Sequence, residues 1–277
     1  MKPRYPKFDF STFKVHWAKN PEFAQRYNAL STVPAHIEPF LVKVMIQARK
    51  LLAPDNKQLL SDIDVFIKQE NQHCQQHIAF NKILHEHGYV GLKAIEVKYK
   101  ADYDDYLVNK SLKFNLAYSE GFEAMGSAGA ENLFVDLKHL WDDADSVAVE
   151  LWKWHLAEEF EHREVCFETY RALYCKGFFN KIINGYFYRV YGYIAALIHI
   201  GKHTKKCIDY LISVDRETMT PEQLEQSYQR EKALKKVLGK AYRMKTLRVF
   251  SPFYNPGKKP IPPGLEQYLT RIPDVRS

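Results

Sequence analysis

Cysteine is scarce and scattered. The 277 residues hold four, with no Cys-x-x-Cys pair, so no disulfide framework organises the chain. Cys74 and Cys166 read as core or reduced surface thiols. Glycine and proline, 12 and 13 in number, are sparse inside the long segments, and much of the proline sits near the two ends. Apolar–polar alternation at the strand period is hard to find, which leaves an all-α protein. Met1-Lys2-Pro3-Arg4-Tyr5-Pro6 leads into polar and aromatic residues, not an apolar run. No signal-peptide pattern is present, and the cytoplasm is the expected compartment. Nor is there a short-period repeat, a low-complexity tract or a recognisable nucleic-acid module, so nucleic acid is not an expected partner.

Charge is uneven. Residues 171–277 hold 20 Lys or Arg against 8 Asp or Glu, while residues 1–170 hold 20 against 25. The basic third reads as a solvated face; an anionic membrane surface is the lesser reading. The length suits one large domain or two small ones. Residues 1–35 read as an irregular lead-in, with Phe8, Phe10, Phe13 and Trp17 packing over the outside of a bundle. Helices are expected at about 36–52, 57–87, 104–138 and 144–175, with a crossover at 89–103. The tyrosine-rich stretch 177–203 reads as a buried fifth helix: its Asn184, Arg189, His199 and tyrosines are poor material for a membrane span. A basic helix at 221–246 and an extended tail complete the chain. The expected organisation is therefore lead-in 1–35, helical bundle 36–212, and a basic helix and tail, 213–277, belonging to the same domain.

One stretch carries chemistry. In Trp154-His155-Leu156-Ala157-Glu158-Glu159-Phe160-Glu161-His162 the residues His155, Glu159 and His162 share one helical stripe. Glu159-x-x-His162 is the pair that di-iron and di-manganese bundles project inward. A second copy, Glu70-Asn71-Gln72-His73, is extended along the same stripe by His77. Such sites also take one lone Glu from each of two other helices. Glu38 precedes Glu70 by 32 residues, and Ala53-Pro54-Asp55-Asn56 marks a turn halfway. Glu120 precedes Glu159 by 39 residues, with the polar break Trp141-Asp142-Asp143-Ala144-Asp145 near the middle. A helix that runs to a turn and returns an equal distance brings its ligands level. Glu38, Glu70, His73, His77, Glu120, His155, Glu159 and His162 are thus the candidate ligands, with Glu123, one turn from Glu120, as the alternative. Glu70 and Glu159 are expected to bridge, Glu38 and His73 to complete one metal, and Glu120, His155 and His162 the other; His77 is either a ligand or an outer partner. Arg163 is expected to pair with acids such as Glu158, or to hold a substrate carboxylate.

Phe8-Asp9-Phe10-Ser11, Phe66-Ile67-Lys68-Gln69-Glu70-Asn71-Gln72-His73, Ala79-Phe80-Asn81 and the run from Trp154 to His162 with Val165-Cys166-Phe167 resemble the predicted metal-dependent hydrolase family. The resemblance covers about residues 6–260. It implies a ferritin-like four-helix bundle with additional C-terminal helices. Ile37-Glu38-Pro39-Phe40 departs from the Gly-Glu usual in that family. More distantly, His155-x-x-x-Glu159-x-x-His162 is similar to the ligand spacing of the di-iron arylamine N-oxygenases. The expected cofactor is two metal ions, iron first, with manganese or zinc as alternatives. The leading function is an O2-dependent oxidase or oxygenase of a small organic substrate. A hydrolase using metal-activated water comes second, and a non-enzymatic storage bundle third. The expected partner is a small-molecule substrate, with a homodimer as a further reading.

Overall fold

The computed structural model describes residues 1–273 except Asp142, Asp143 and Asp145. Helix accounts for 76% of the chain and no strand occurs among the described residues. The helices are α1 (Pro21–Leu30), α2 (Pro34–Arg49), α3 (Lys57–Glu86), α4 (Leu92–Asn109), α5 (Leu112–Glu131), α6 (Lys138–Trp141), α7 (Ser146–Glu161), α8 (Val165–Tyr174), α9 (Phe178–Ile182), α10 (Arg189–Arg216), α11 (Pro221–Val249) and α12 (Leu265–Leu269). Wider π-helical turns continue α5 over Asn132–Asp136 and join α9 to α10 over Ile183–Tyr188.

Local chemistry sets several starts. Asn20 Oδ1 accepts the Phe23 N–H ahead of Pro21, Ser111 caps α5, and Thr220 with Gln223 forms a reciprocal capping box on α11. α3 is followed by Gly88 at φ +101°, a conformation that favours glycine. Pro39 sits inside α2 rather than in its first turn, because α2 begins at Pro34. It removes the N–H that would bond the Ala35 carbonyl; the buried Cys74 thiol donates to that oxygen instead, at 3.7 Å.

α2 and α3 form a hairpin through the turn at residues 50–56, and α5 packs against both α7 and α8. These rods surround the candidate ligands. α10 closes on α5 at a crossing that requires glycine: a Cβ on Gly192 would lie 2.5 Å from Ala117 Cβ and 2.7 Å from its carbonyl oxygen. Of the expected polar break at 141–145, residues 142, 143 and 145 lie outside the described residues.

Six expectations differ from what is observed. The third helix starts at Leu112, not 104, after a break at residues 110–111, and the tail folds into α12 over Leu265–Leu269 instead of staying extended. The lead-in contains a helix, α1, which packs on α10 and α11. The crossover is largely α4, lying across α2 and α10. The fourth helix is broken at residues 162–164. The fifth is only half buried: Tyr193, Ala196 and Ile200 face inward, while Phe187, Tyr191, Ile194 and Ile198 are exposed. Phe8 lies against Trp154, and Phe10 and Phe13 lie against Phe80. Tyr5 N–H donates to Pro273 O, so the two ends of the described chain meet on one side of the bundle.

Candidate metal centre

Seven buried side chains converge between α2, α3, α5 and the α7–α8 junction. Glu38, Glu70, Glu159, His73 and His162 are fully inaccessible, and Glu123 and His155 are 1% and 3% exposed. One group joins Glu38, His73, His155 and Glu159, and a second joins Glu70, Glu159 and His162; the candidate ligand atoms of each group lie within 4.8 Å of one another. His155 Nε2 is 3.4 Å from Glu38 Oε1 and 3.1 Å from Glu159 Oε1. His162 Nε2 is 3.3 Å from Glu70 Oε1 and 3.2 Å from Glu123 Oε2. His73 Nδ1 lies 3.6 to 3.9 Å from Glu70, Glu159 and Glu38. Glu159 belongs to both groups, and Glu70 faces a histidine from each.

Each imidazole that faces the cluster is anchored through its other nitrogen. His73 Nε2–H donates to Glu158 at 3.0 Å, and Glu158 accepts from Arg4 at 2.9 Å. His162 Nδ1–H donates to Gln69 Oε1 at 3.0 Å, while the Gln69 amide donates to Glu161 and to Lys2 O. His155 Nδ1 meets His77 Nε2 at 2.6 Å, and His77 Nδ1 meets Ser31 Oγ at 2.7 Å. This is the arrangement in which an outer partner fixes the tautomer and aim of a ligating imidazole.

Most of the inward atoms are unpaired; the exceptions are His155 Nε2 and Glu159 Oε1, hydrogen-bonded at 3.1 Å. Both oxygens of Glu38, Glu70 and Glu123, one of Glu159, and His73 Nδ1 and His162 Nε2 have no hydrogen-bond partner despite full burial. Buried polar groups normally find partners, because each orphan forfeits its hydration. Burial first, then Glu70 and Glu159, hold the Glu38 carboxyl well above its ordinary value; burial, then Glu159, does the same to Glu123. Glu159 moves the other way: burial opposes ionisation, but the hydrogen bond with His155 and the imidazole of His162, 3.7 Å away, outweigh it. Burial lowers His155 to about 4, which keeps its ring neutral. Four carboxylates carry a charge that two divalent cations would cancel, and neutral imidazoles with carboxylate oxygens suit iron, manganese or zinc. The donor set fits a dinuclear metal.

A family profile described as a predicted metal-dependent hydrolase matches residues 2–259. The chain belongs to the predicted metal-dependent hydrolase family. No curated protein and no solved structure matches it. The match spans the whole cluster and both outer anchors, Arg4 and Gln69.

The structure does not bring every expected residue of this family member to the cluster. Glu120 points at Arg189, 3.5 Å away, and burial lifts its carboxyl to about 7 against the pull of that guanidinium. The lone α5 acid facing His162 is Glu123. His155 lies with Glu38, not on the far side with His162. His77 stands behind His155, both ring nitrogens engaged by protein. Arg163 neither pairs with Glu158 nor faces a cavity: it donates to Phe160 O and Pro256 O and stacks on Phe160. The residue that pairs with Glu158 is Arg4, from the far N-terminus. Nothing in local spacing pointed to Arg4 or Ser31; Gln69 adjoined Glu70 in the motif and carried the one available signal.

Access is provided at Gly126. A Cβ there would lie 2.1 Å from Glu159 Oε2, so glycine lets α5 pass this carboxylate without displacing it. Gly126, His155, Leu156 and Phe122 line one end of a cavity of about 500 Å³, most of whose wall is apolar.

Proposed function

We propose that the chain is a dinuclear metal enzyme of the ferritin-like carboxylate type, with Glu38, Glu70, His73, Glu123, His155, Glu159 and His162 as ligands. Glu70 lies within 3.6 Å of His73 and His162, and Glu159 within 3.7 Å of His155 and His162, so each would be able to hold an ion from either group. The convergence of unpartnered, fully buried carboxylate and imidazole atoms carries this reading. His77 and Glu120 are assigned outer roles: His77 orients His155, and Glu120 neutralises Arg189. For His155 to offer its Nε2 lone pair, Nδ1–H donates to His77 Nε2 and His77 Nδ1–H donates to Ser31 Oγ.

The reaction we favour is O2-dependent oxidation of a small apolar substrate at a di-iron site. The cavity supports it: the wall beside His155 is built from Phe122, Trp152 and Leu156, which admit hydrocarbon and exclude water. Two iron ions would supply the electrons for O2 reduction, whereas zinc or manganese in the same ligands would supply an activated water. The family description favours that second, hydrolytic reading. Metal analysis of the protein purified from iron-supplemented cells, followed by O2 uptake by the ferrous protein, tests the first. Turnover of ester or phosphoester substrates without O2 tests the second. Less than about one metal per chain would overturn both.

A further inference from the structure

The cavity that reaches His155 is graded along its length. Its deep end is buried and mostly apolar, formed by Phe122, Leu156 and Trp152, whose indole N–H is the one orphaned polar atom among these three; at its other end the lining residues Lys235 and Gly239 of α11 are exposed. The charged side chains of its wall are Arg26, Lys235 and Lys245, all cationic, and neither Asp nor Glu lines it among the described residues. Lys235 pairs with Glu231 and Lys245 with Asp136. Arg26 Nε is buried with no hydrogen-bond partner, and so is the hydroxyl of Thr204, which lines the same cavity from α10. The acids nearest Arg26 in electrostatic effect are Glu231, one turn before Lys235, and Asp209, beside Ile208 of the cavity wall. Glu231 is on α11 and Asp209 on α10, and α1, which carries Arg26, packs on both helices. An unpartnered N–H and an unpartnered hydroxyl in a cationic, otherwise apolar wall call for an anionic acceptor attached to a hydrocarbon body.

We infer that the cavity binds a fatty carboxylate, its head at Arg26, Thr204 and Lys235 and its tail directed at His155 and the buried cluster. The volume of about 500 Å³ lies within the range of small-molecule sites, roughly 300–1,000 Å³. The inference rests on the dinuclear reading only for what becomes of the tail. A saturated tail offers the cluster no bond to hydrolyse, so this occupant sides with oxidation.

The test is calorimetric titration of octanoate, decanoate, dodecanoate and dodecan-1-ol, below their micelle thresholds, into metal-free and metal-loaded full-length protein. Dodecanoate is expected to bind both forms, and each added methylene to tighten binding by up to about fourfold. Arg26→Gln and Lys235→Gln are expected to weaken dodecanoate about tenfold each and to leave dodecan-1-ol unchanged. Gly239→Trp is expected to abolish both by filling the mouth. A Cβ at Gly239 meets nothing within 4 Å, and replacing a helix-interior glycine favours the helix, so the substitution does not strain the backbone; circular dichroism checks that the variant is folded. No dodecanoate binding, equal loss of acid and alcohol in Arg26→Gln, or undiminished binding in Gly239→Trp would overturn the inference. Metal content is measured on the same samples. Metals lost with dodecanoate binding intact counts against the dinuclear reading alone; binding absent with metals retained counts against this inference alone.

Discussion

Gly126→Ala separates folding from metal binding in a single methyl group. Replacing a helix-interior glycine by alanine normally stabilises a protein by about 0.5–1 kcal/mol. Here the new Cβ would sit 2.1 Å from Glu159 Oε2, 2.9 Å from Cδ and 3.3 Å from Cγ. Reaching even 3.0 Å requires the carboxylate to retreat by about 0.9 Å. Metal–oxygen bonds tolerate changes of only about 0.2 Å, so the Glu159 carboxylate must leave at least one ion. A hundredfold weakening of metal binding follows from that displacement, on the scale seen when ligand positioning is lost. Such a loss removes about 2.7 kcal/mol of metal-linked stability, or roughly 5–10 °C in Tm for a chain this size. In the metal-free protein Glu159 is free to swing away, and Tm should hold or rise. The assay is scanning calorimetry of metal-stripped and metal-loaded samples, with metal content by plasma mass spectrometry. Wild-type stoichiometry together with a wild-type metal-induced shift in Gly126→Ala would refute the placement of Glu159 against α5.

Glu123→Gln should strip metal from the protein, whereas Glu120→Gln should keep it and lower Tm, since it unpairs a buried arginine at a cost of about 3 kcal/mol; metal content and melting of the two variants read the difference. His77→Ala should loosen metal binding about 10–100-fold while leaving every ligand in place, as measured by competition with a chelator. Loading the metal-free protein should release protons. Burial and neighbouring acids raise Glu38 and Glu123, and neighbouring carboxylates raise His162 against the effect of burial. These groups hold protons when metal-free and must lose them to ligate, so affinity should climb with pH near neutrality; calorimetry in buffers of different ionisation enthalpy counts the protons. Arg4→Ala should weaken metal binding without touching a ligand, as read by chelator competition, because it leaves the buried Glu158 with His73 but without its guanidinium.

The Glu–His stripes were legible because they are local. His155, Glu159 and His162 share a helix face whatever packs around it, and so do Glu70, His73 and His77. Equal spacing about a turn placed Glu38 level with Glu70, and the structure has them in one cluster. The same counting could not choose between Glu120 and Glu123, which lie one turn apart on α5. In the structure Glu120 lies 3.5 Å from Arg189, from a helix almost 70 residues further on, while Glu123 lies 3.2 Å from His162. The break after Glu161 was hidden for a related reason: no glycine or proline announces it, whereas the helix at 92–109 follows Gly88 and Gly91 and lacks only a clear apolar stripe to mark it.

Sequence alone determined that this is a helical protein with two Glu-x-x-His faces, because helical periodicity and the chemistry of carboxylate and imidazole are properties of short segments. Which α5 acid joins them, which nitrogen of each histidine is left free, and where the hydrocarbon-lined cavity meets the cluster were decided only in three dimensions. Each depends on a partner far away in the chain: Arg189 for Glu120, Arg4 through Glu158 for His73, Ser31 through His77 for His155, and Gly126 against Glu159. Contacts of that kind form when helices pack, and no window of sequence short enough to read contains both sides of them.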